Sequence, residues 1–297
     1  MIEVIISALV LASLYGLVAI GISFTWASIG MLNLAQGFIF TAGGYAAYLF
    51  ATFAANAHVS GAALSIGVLV AGMLGSAMAG LFVGAIAFLP LHDRENFRTR
   101  SLIATLSISL IGTQFWLLLF GPQNQPLPPI FGDGRVEIGS AGISYGQLGT
   151  LIVALLVLGA VIIWMRSSRA GLQMRAMMMN PLGAAVVGVS VRKTGMQVLA
   201  ISGALTGLAS VLLAQVFFVS PTSGVQPLTV GLIISLAGGL GSIPGTVAAA
   251  GLIGLAEALT ARYLQQSFVP FVLFGIVLLI LTFRPRGLGG LLEDVRE

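Results

Sequence analysis

Few groups in this chain could carry chemistry, and they are scattered. There is no cysteine, and the two histidines, His58 and His92, lie far apart in the sequence. Disulfides, thiolate nucleophiles and cysteine-based metal sites are excluded, and nothing predicts a metal centre. The single lysine, Lys193, is not preceded by the glycine-rich phosphate cradle of G-x-x-x-x-G-K-[ST], and no H-E-x-x-H occurs. The run Gly238-Gly239-Leu240-Gly241-Ser242-Ile243-Pro244-Gly245 has the look of a dinucleotide loop. It misses the G-x-G-x-x-G spacing, has Pro244 within it and joins no strand to a helix. It reads instead as a non-helical break between two half-spans, which is tolerated at membrane depth only where protein or a water-filled cavity satisfies the backbone.

Polar side chains at helical spacing come next. Ser101, Thr105, Ser109 and Thr113 recur every fourth residue and form one hydroxyl stripe. Such a stripe lines a pathway, or it bonds back to its own helix and helps helices pack. Asn33 and Gln36 lie in an uncharged connection, Leu32-Asn33-Leu34-Ala35-Gln36-Gly37, where they satisfy irregular backbone or contact a permeating solute. Glu257 is the one acid clearly inside a span, with Arg262 five positions later. It reads as an interfacial pair or as a carboxylate facing a cavity. Gly72, Ser76, Gly80 and Gly84 repeat the small-xxx-small spacing that lets helix backbones approach.

The elements that must position these groups are set by composition. Of 297 residues, 58% are hydrophobic and 7% charged, against about a quarter charged in soluble domains. The mean hydropathy is +1.06. Lipid is the solvent for most of this chain. Apolar runs near 4–28, 37–55, 62–90, 101–120, 147–165, 196–219, 228–243, 245–263 and 267–283 predict an all-α, polytopic transmembrane helix bundle of about nine spans (eight to ten), in one domain over 1–297. The first run is not read as a signal peptide: Glu3 is its only early charge and its apolar stretch is too long.

Eleven of the 13 basic residues fall in three segments: Arg94, Arg98 and Arg100; Arg166, Arg169, Arg175, Arg192 and Lys193; and Arg284, Arg286 and Arg296. An odd number of spans puts all three on one side, so the positive-inside rule predicts a cytoplasmic C-terminus and an external N-terminus. The 121–146 loop, with Pro122, Pro126, Pro128 and Pro129 and an alternating run from Val136 to Ile143, is then an external cap or lip. The 166–195 loop is cytoplasmic. Within it Asn180-Pro181 reads as an N-cap with proline at the first helical position, and Gly188 as the stop. Leu182, Ala184, Ala185, Val186 and Val187 between them make a short apolar helix, which lies on headgroups or docks a cytoplasmic partner.

Three of these segments occur together in one known family. Asn33-Leu34-Ala35-Gln36-Gly37 after a first span, Arg175-Ala176 with Asn180, Ala185 and Gly188-Val189, and the Gly238–Gly245 run leading to Glu257-Ala258-Leu259 resemble the permeases of branched-chain amino-acid ABC importers, the smaller of the two homologous permeases. The resemblance runs from about residue 5 to residue 290. Many members have His where this chain has Gln36, and an aromatic where it has Leu34. The resemblance implies a homologous permease partner, two cytoplasmic ATPase subunits that bind the ATP and Mg, and an external or periplasmic solute-binding protein, in a bacterial or archaeal cytoplasmic membrane. It implies that 180–189 is the helix seated in the ATPase, and that this chain binds no cofactor, metal or nucleic acid and is not itself an enzyme. Urea and short amides are also substrates in the family, and a stand-alone channel or secondary transporter is the rival reading. A zwitterionic solute needs only moderate polarity along its path, which favours Thr105, Ser109, Thr113, Asn33 and Gln36 over the charged Glu257. Similar composition in Gly16-Leu17 to Gly43-Gly44 and Gly207-Leu208 to Gly238-Gly239 suits an inverted repeat.

Overall fold

The computed structural model describes residues 2–57, 61–132, 134–138 and 141–289; His58, Arg296 and residues 139–140 of the alternating run lie outside the described residues. In chain order the elements are α1 (Ile2–Ile29), α2 (Gln36–Asn56), α3 (Ala62–Val83) prolonged by a π-turn over Gly84–Phe88, α4 (Phe97–Phe120), the strands β1 (Arg135–Ile138) and β2 (Ala141–Ser144), α5 (Tyr145–Ser167), α6 (Arg169–Met179), α7 (Pro181–Val186), α8 (Val191–Ala214), α9 (Val225–Gly238), α10 (Ile243–Tyr263) and, after a 3₁₀ turn, α11 (Val269–Phe283). Helix is the expected outcome for uniformly apolar sequence, because in lipid each backbone N–H and C=O must be satisfied within its own segment. Local chemistry sets several starts: Ser144 and Gln147 form a capping box on α5, and Ser190 and Ser242 accept from the first turns of α8 and α10.

Among the described residues, eight helices are long and apolar enough to cross a membrane. The ninth expected crossing is α9, which has 14 residues and at 1.5 Å per residue is only about 21 Å long. Non-helical chain flanks it on both sides: Val219, before α9, pairs with Gln125 of the proline-rich loop, while Gly238 at its other end accepts from Gly289 N–H at 2.9 Å.

Two units of like plan make up the bundle. Helices α1 to α4 form one, with a turn over 30–35 between its first two helices. Helices α8 to α11 form the other, with the segment 215–224 in the same position. Ile29 at the end of α1 and Gly195 at the start of α8 are in contact, so the units run in opposite directions. Their packing is reciprocal: α1 lies along α10 as α8 lies along α3, and α1 meets α9 as α8 meets α2. The expected inverted repeat is therefore present as architecture. Helices α1 and α8 form the buried centre, and α4, α5 and α11 are the most outward-facing spans.

The basic segments converge. Arg192 donates to His92 Nε2 at 2.9 Å and to Asp93 at 3.1 Å, joining the loop after α3 to the start of α8. Arg98 stands over the Trp26 ring near the end of α1. Leu288 and Gly289 N–H donate to Ala237 and Gly238, which brings the segment after α11 to the same face. At the opposite face the proline-rich loop is ordered. The backbones of Gln125 and Val219 bond to each other, Ile130 N–H donates to Gln215 Oε1 at 2.9 Å, and Ser65 donates to Ile130 O at 2.8 Å. Beyond it β1 pairs antiparallel with β2.

Candidate functional site

The turn after α1 is re-entrant. Gly30, with φ +67°, ends the helix, and the chain folds back alongside it. Asn33 Oδ1 accepts from Ala35 N–H and Asn33 Nδ2 donates to Gln36 Oε1, both at 3.0 Å. Gln36 Nε2 donates to Ser202 Oγ at 3.0 Å and also to Thr206 Oγ1; Ser202 in turn donates to Gly21 O at 2.9 Å. Gly21 lies about 12 Å along α1 from Ile29, at 1.5 Å per residue. Helix α2 therefore begins well inside the bundle rather than at its surface. Helix α9 begins at a matching depth from the other side, because the backbones of Gly37 and Gly224 touch. Two helix N-termini thus meet in the interior, one from each unit.

Asn33 and Gln36 are fully buried and hydrogen-bonded to protein. Both fasten the irregular backbone of this turn. The α4 stripe behaves similarly. Thr105 accepts from Leu34 N–H at 3.2 Å and so joins the re-entrant turn. Ser101 donates to Arg98 O and Thr113 to Ser109 O within their own helix, and Ser109 is half-buried. The stripe faces α2 and the turn.

The Gly238–Gly245 run differs from the expected break between half-spans. It lies at the basic face, and α10 after it is a full 21-residue helix. Gly239 and Gly241 adopt φ of +89° and +93°, which glycine tolerates without steric strain. Ser242 and Pro244 then start α10, and Gly238 and Gly245 pack backbone to backbone. The half-span is α9, and its broken end is Gly224. The sequence places 220–227 in the connection between the 196–219 and 228–243 runs; that this connection turns back into the bundle is set by the contact of Gly224 with Gly37, remote in the chain.

Glu257 forms no ion pair with Arg262, which is exposed. It is 2% exposed, and Tyr15 OH donates to its Oε1 at 3.3 Å. Gln226 Nε2 donates to Tyr15 OH at 3.2 Å. Among the described residues Glu257 Oε2 has no hydrogen-bond partner. Tyr15 and Gln226 had not been singled out; a lone tyrosine within an apolar span and a glutamine at a helix start were the available signals.

On the basic face α7 has the predicted signature. Asn180 Oδ1 accepts from Gly183 N–H at 2.9 Å, Pro181 opens the helix, and Gly188 with φ +90° ends it. Val189 N–H donates to Ala184 O at 3.0 Å. Ala184 is buried, whereas Leu182, Ala185, Val186 and Val187 are exposed, Val186 by 87%. Arg175 on the preceding α6 donates to Arg166 O at 3.3 Å, so it braces the α5–α6 corner.

Inverted helical units, re-entrant turns meeting in the interior and an all-helical polytopic frame define a membrane transport bundle. The chain belongs to the family of branched-chain amino acid transport system permease components, whose family model matches residues 4–282. It is 29% identical over 287 residues to the high-affinity branched-chain amino acid transport system permease protein LivH of Salmonella typhimurium, covering 94% of this chain and 92% of that one. It is 27% identical to the corresponding protein BraD of Pseudomonas aeruginosa (96% and 94% covered). The probable branched-chain amino acid transport permease protein LivH of Methanocaldococcus jannaschii is 28% identical (95% and 90% covered). Among solved structures, PsaBC from Streptococcus pneumoniae in complex with Fab shares the fold, with a TM-score of 0.50 at 13% identity over 94% of this chain and 91% of that one.

Proposed function

We propose that this chain is the permease subunit of an ABC importer for branched-chain or other hydrophobic amino acids. It forms the pathway with a second, homologous permease, receives solute from an external binding protein, and is driven by two ATPase subunits that bind ATP and Mg on the cytoplasmic side. The basic face is that side in the bacterial or archaeal inner membrane. The observation that carries this reading is α7. A capped six-residue helix on the basic face buries Ala184 and holds Leu182, Val186 and Val187 outward, which leaves an apolar knob uncovered among the described residues. Covering one such side chain contributes about 1.5–3 kcal/mol, enough for a small seat to transmit motion. Nucleotide-driven movement of α7 would pass through α6, which packs on α1, α5 and α8, to both inverted units.

The test is purification of the full chain in mild detergent with its co-expressed neighbours, followed by nucleotide-dependent uptake in proteoliposomes. Val186→Glu puts a charge into the seat and is expected to weaken ATPase association about ten-fold or more, since ~1.4 kcal/mol corresponds to a factor of ten, and to abolish uptake. Undiminished association and uptake in that variant, or uptake by the chain alone without ATPase subunits, would overturn the reading.

A further inference from the structure

The turn before α9 and the first turns of that helix carry exposed polar side chains deep in the bundle. Gly224 touches Gly37, and Gly37 lies just past Gln36, which is held at the level of Gly21, inside α1. Thr222, Gln226 and Thr229 therefore stand well inside the membrane's hydrocarbon, and all three are exposed. Gln226 and Thr229 share one face of α9, which continues into the apolar Leu236 toward the basic side, and Thr222 lies in the turn just before the helix. Thr229 satisfies its own proton on Val225 O at 2.9 Å. Gln226 cannot be satisfied that way: a primary amide has two donors and a carbonyl acceptor, and lipid offers neither partner.

The orientation of Gln226 is imposed from behind. A carboxylate oxygen accepts, so Tyr15 spends its one proton on Glu257 Oε1 (3.3 Å). The tyrosine oxygen then accepts, so Gln226 must present its Nε2 to it (3.2 Å). The carbonyl of this exposed side chain is not engaged by Tyr15, and it ends a chain whose members polarise one another. At the other end Glu257 is 2% exposed with Oε2 unpartnered among the described residues, a concentration of negative potential behind the amide.

We infer that the Gln226–Thr229 face of α9, with Thr222 in the turn before it, is the water-lined wall of the solute path at mid-membrane. Its Gln226 carbonyl accepts from an N–H-bearing head group of the solute, with Tyr15 and Glu257 as positioning residues. This rests on the transport reading above. An α-ammonium and a primary amide share the chemistry: both bring several N–H donors and are drawn to the carboxylate behind the glutamine. Asn33 and Gln36 are sealed elements of the frame, and the path passes beside α9.

The absence of cysteine makes the test direct. Single variants Thr222→Cys, Gln226→Cys and Thr229→Cys in full-length chain within its assembled complex, in opened membranes, are treated with a charged methanethiosulfonate. Leu118→Cys, at an 87% exposed position on α4, is the lipid-facing control. The three positions are expected to react at least about ten times faster than the control, because the reagent stays in water. Reaction no faster than at Leu118→Cys overturns the water-lined wall.

Leucine, acetamide and 4-methyl-2-oxopentanoate are then offered as protectants of Thr222→Cys. Protection by leucine or acetamide and not by the oxo acid supports N–H recognition; leucine acting at the lower concentration assigns the ammonium, and acetamide the amide. Equal protection by the oxo acid, or none by any of the three, overturns it. In the same background Tyr15→Phe and Glu257→Gln are expected to raise the half-protecting concentration about ten-fold while leaving the unprotected labelling rate unchanged. An unchanged half-protecting concentration removes both residues from the site. Failure of the transport reading would appear separately, as absence of ATP-dependent uptake by the unaltered complex.

Discussion

Two glutamines of this chain have the same side chain and opposite fates. Gln36 is fully buried and spends its amide on Asn33, Ser202 and Thr206. Gln226 is exposed and touches protein through Tyr15. Removing a buried partner leaves the remaining groups desolvated and unpaired, at about 1–3 kcal/mol. Gln36→Leu should therefore destabilise the protein by about that amount, read as a fall in the thermal unfolding midpoint in detergent; an unchanged midpoint would mean that the turn is held by something else. Both Gln36 and Asn33 were legible in the sequence as polar residues in an uncharged connection. Whether they meet solute or protein was not, because the deciding partners, Ser202 and Thr206, lie on a helix remote in the chain.

At the scale of elements, the informative pair is α2 and α9, the two helices that begin in the interior. Their junction depends on glycine on both sides, and unequally. A Cβ on Gly224 would fall on the Gly37 carbonyl, whereas a Cβ on Gly37 would stand 3.0 Å from Gly224 O, which a small shift can relieve. Gly224→Ala should sharply reduce folded yield and Gly37→Ala should do so less. Gly251→Ala in α10, where nothing lies within 4 Å, should be neutral or stabilising by about 0.5–1 kcal/mol. Size-exclusion profiles and thermal midpoints of the three variants check that order; equal behaviour of Gly224→Ala and Gly251→Ala would refute the close approach. Helix α7 shows what is legible locally: Asn180, Pro181 and Gly188 are a cap, a start and a stop within nine residues, and each acts through its own backbone. Helix α9 shows the contrary case, since the end that matters is defined by contact with Gly37.

At the scale of the whole molecule, the two inverted units set the start of α9 against the start of α2, and specific bonds rather than the symmetry gather the basic segments. The His92–Asp93–Arg192 cluster and the Leu288–Ala237 bond hold the basic segments on one face, and the proline-rich loop closes the other through Gln125 and Val219. The exposed Arg192–Asp93 pair contributes little energy, about 0–1 kcal/mol, so its value lies in joining segments. If the basic face is cytoplasmic, Gln123→Cys should react with an impermeant maleimide in intact cells, and Arg94→Cys only after the membrane is opened. Both positions are exposed, and the reverse pattern would invert the topology.

The sequence by itself determined the membrane class, the grouping of the basic residues and the form of α7. Hydropathy, charge position and helix caps act over a few residues, so they can be read from neighbours in the chain. Only the tertiary structure decided which polar groups are sealed and which are offered. Tyr15 and Glu257 stand 242 positions apart, and Gly37 meets Gly224 across the join of two inverted units. Burial and hydrogen bonding depend on what arrives from elsewhere in the chain. In a span that is apolar throughout, no local periodicity records which face that will be.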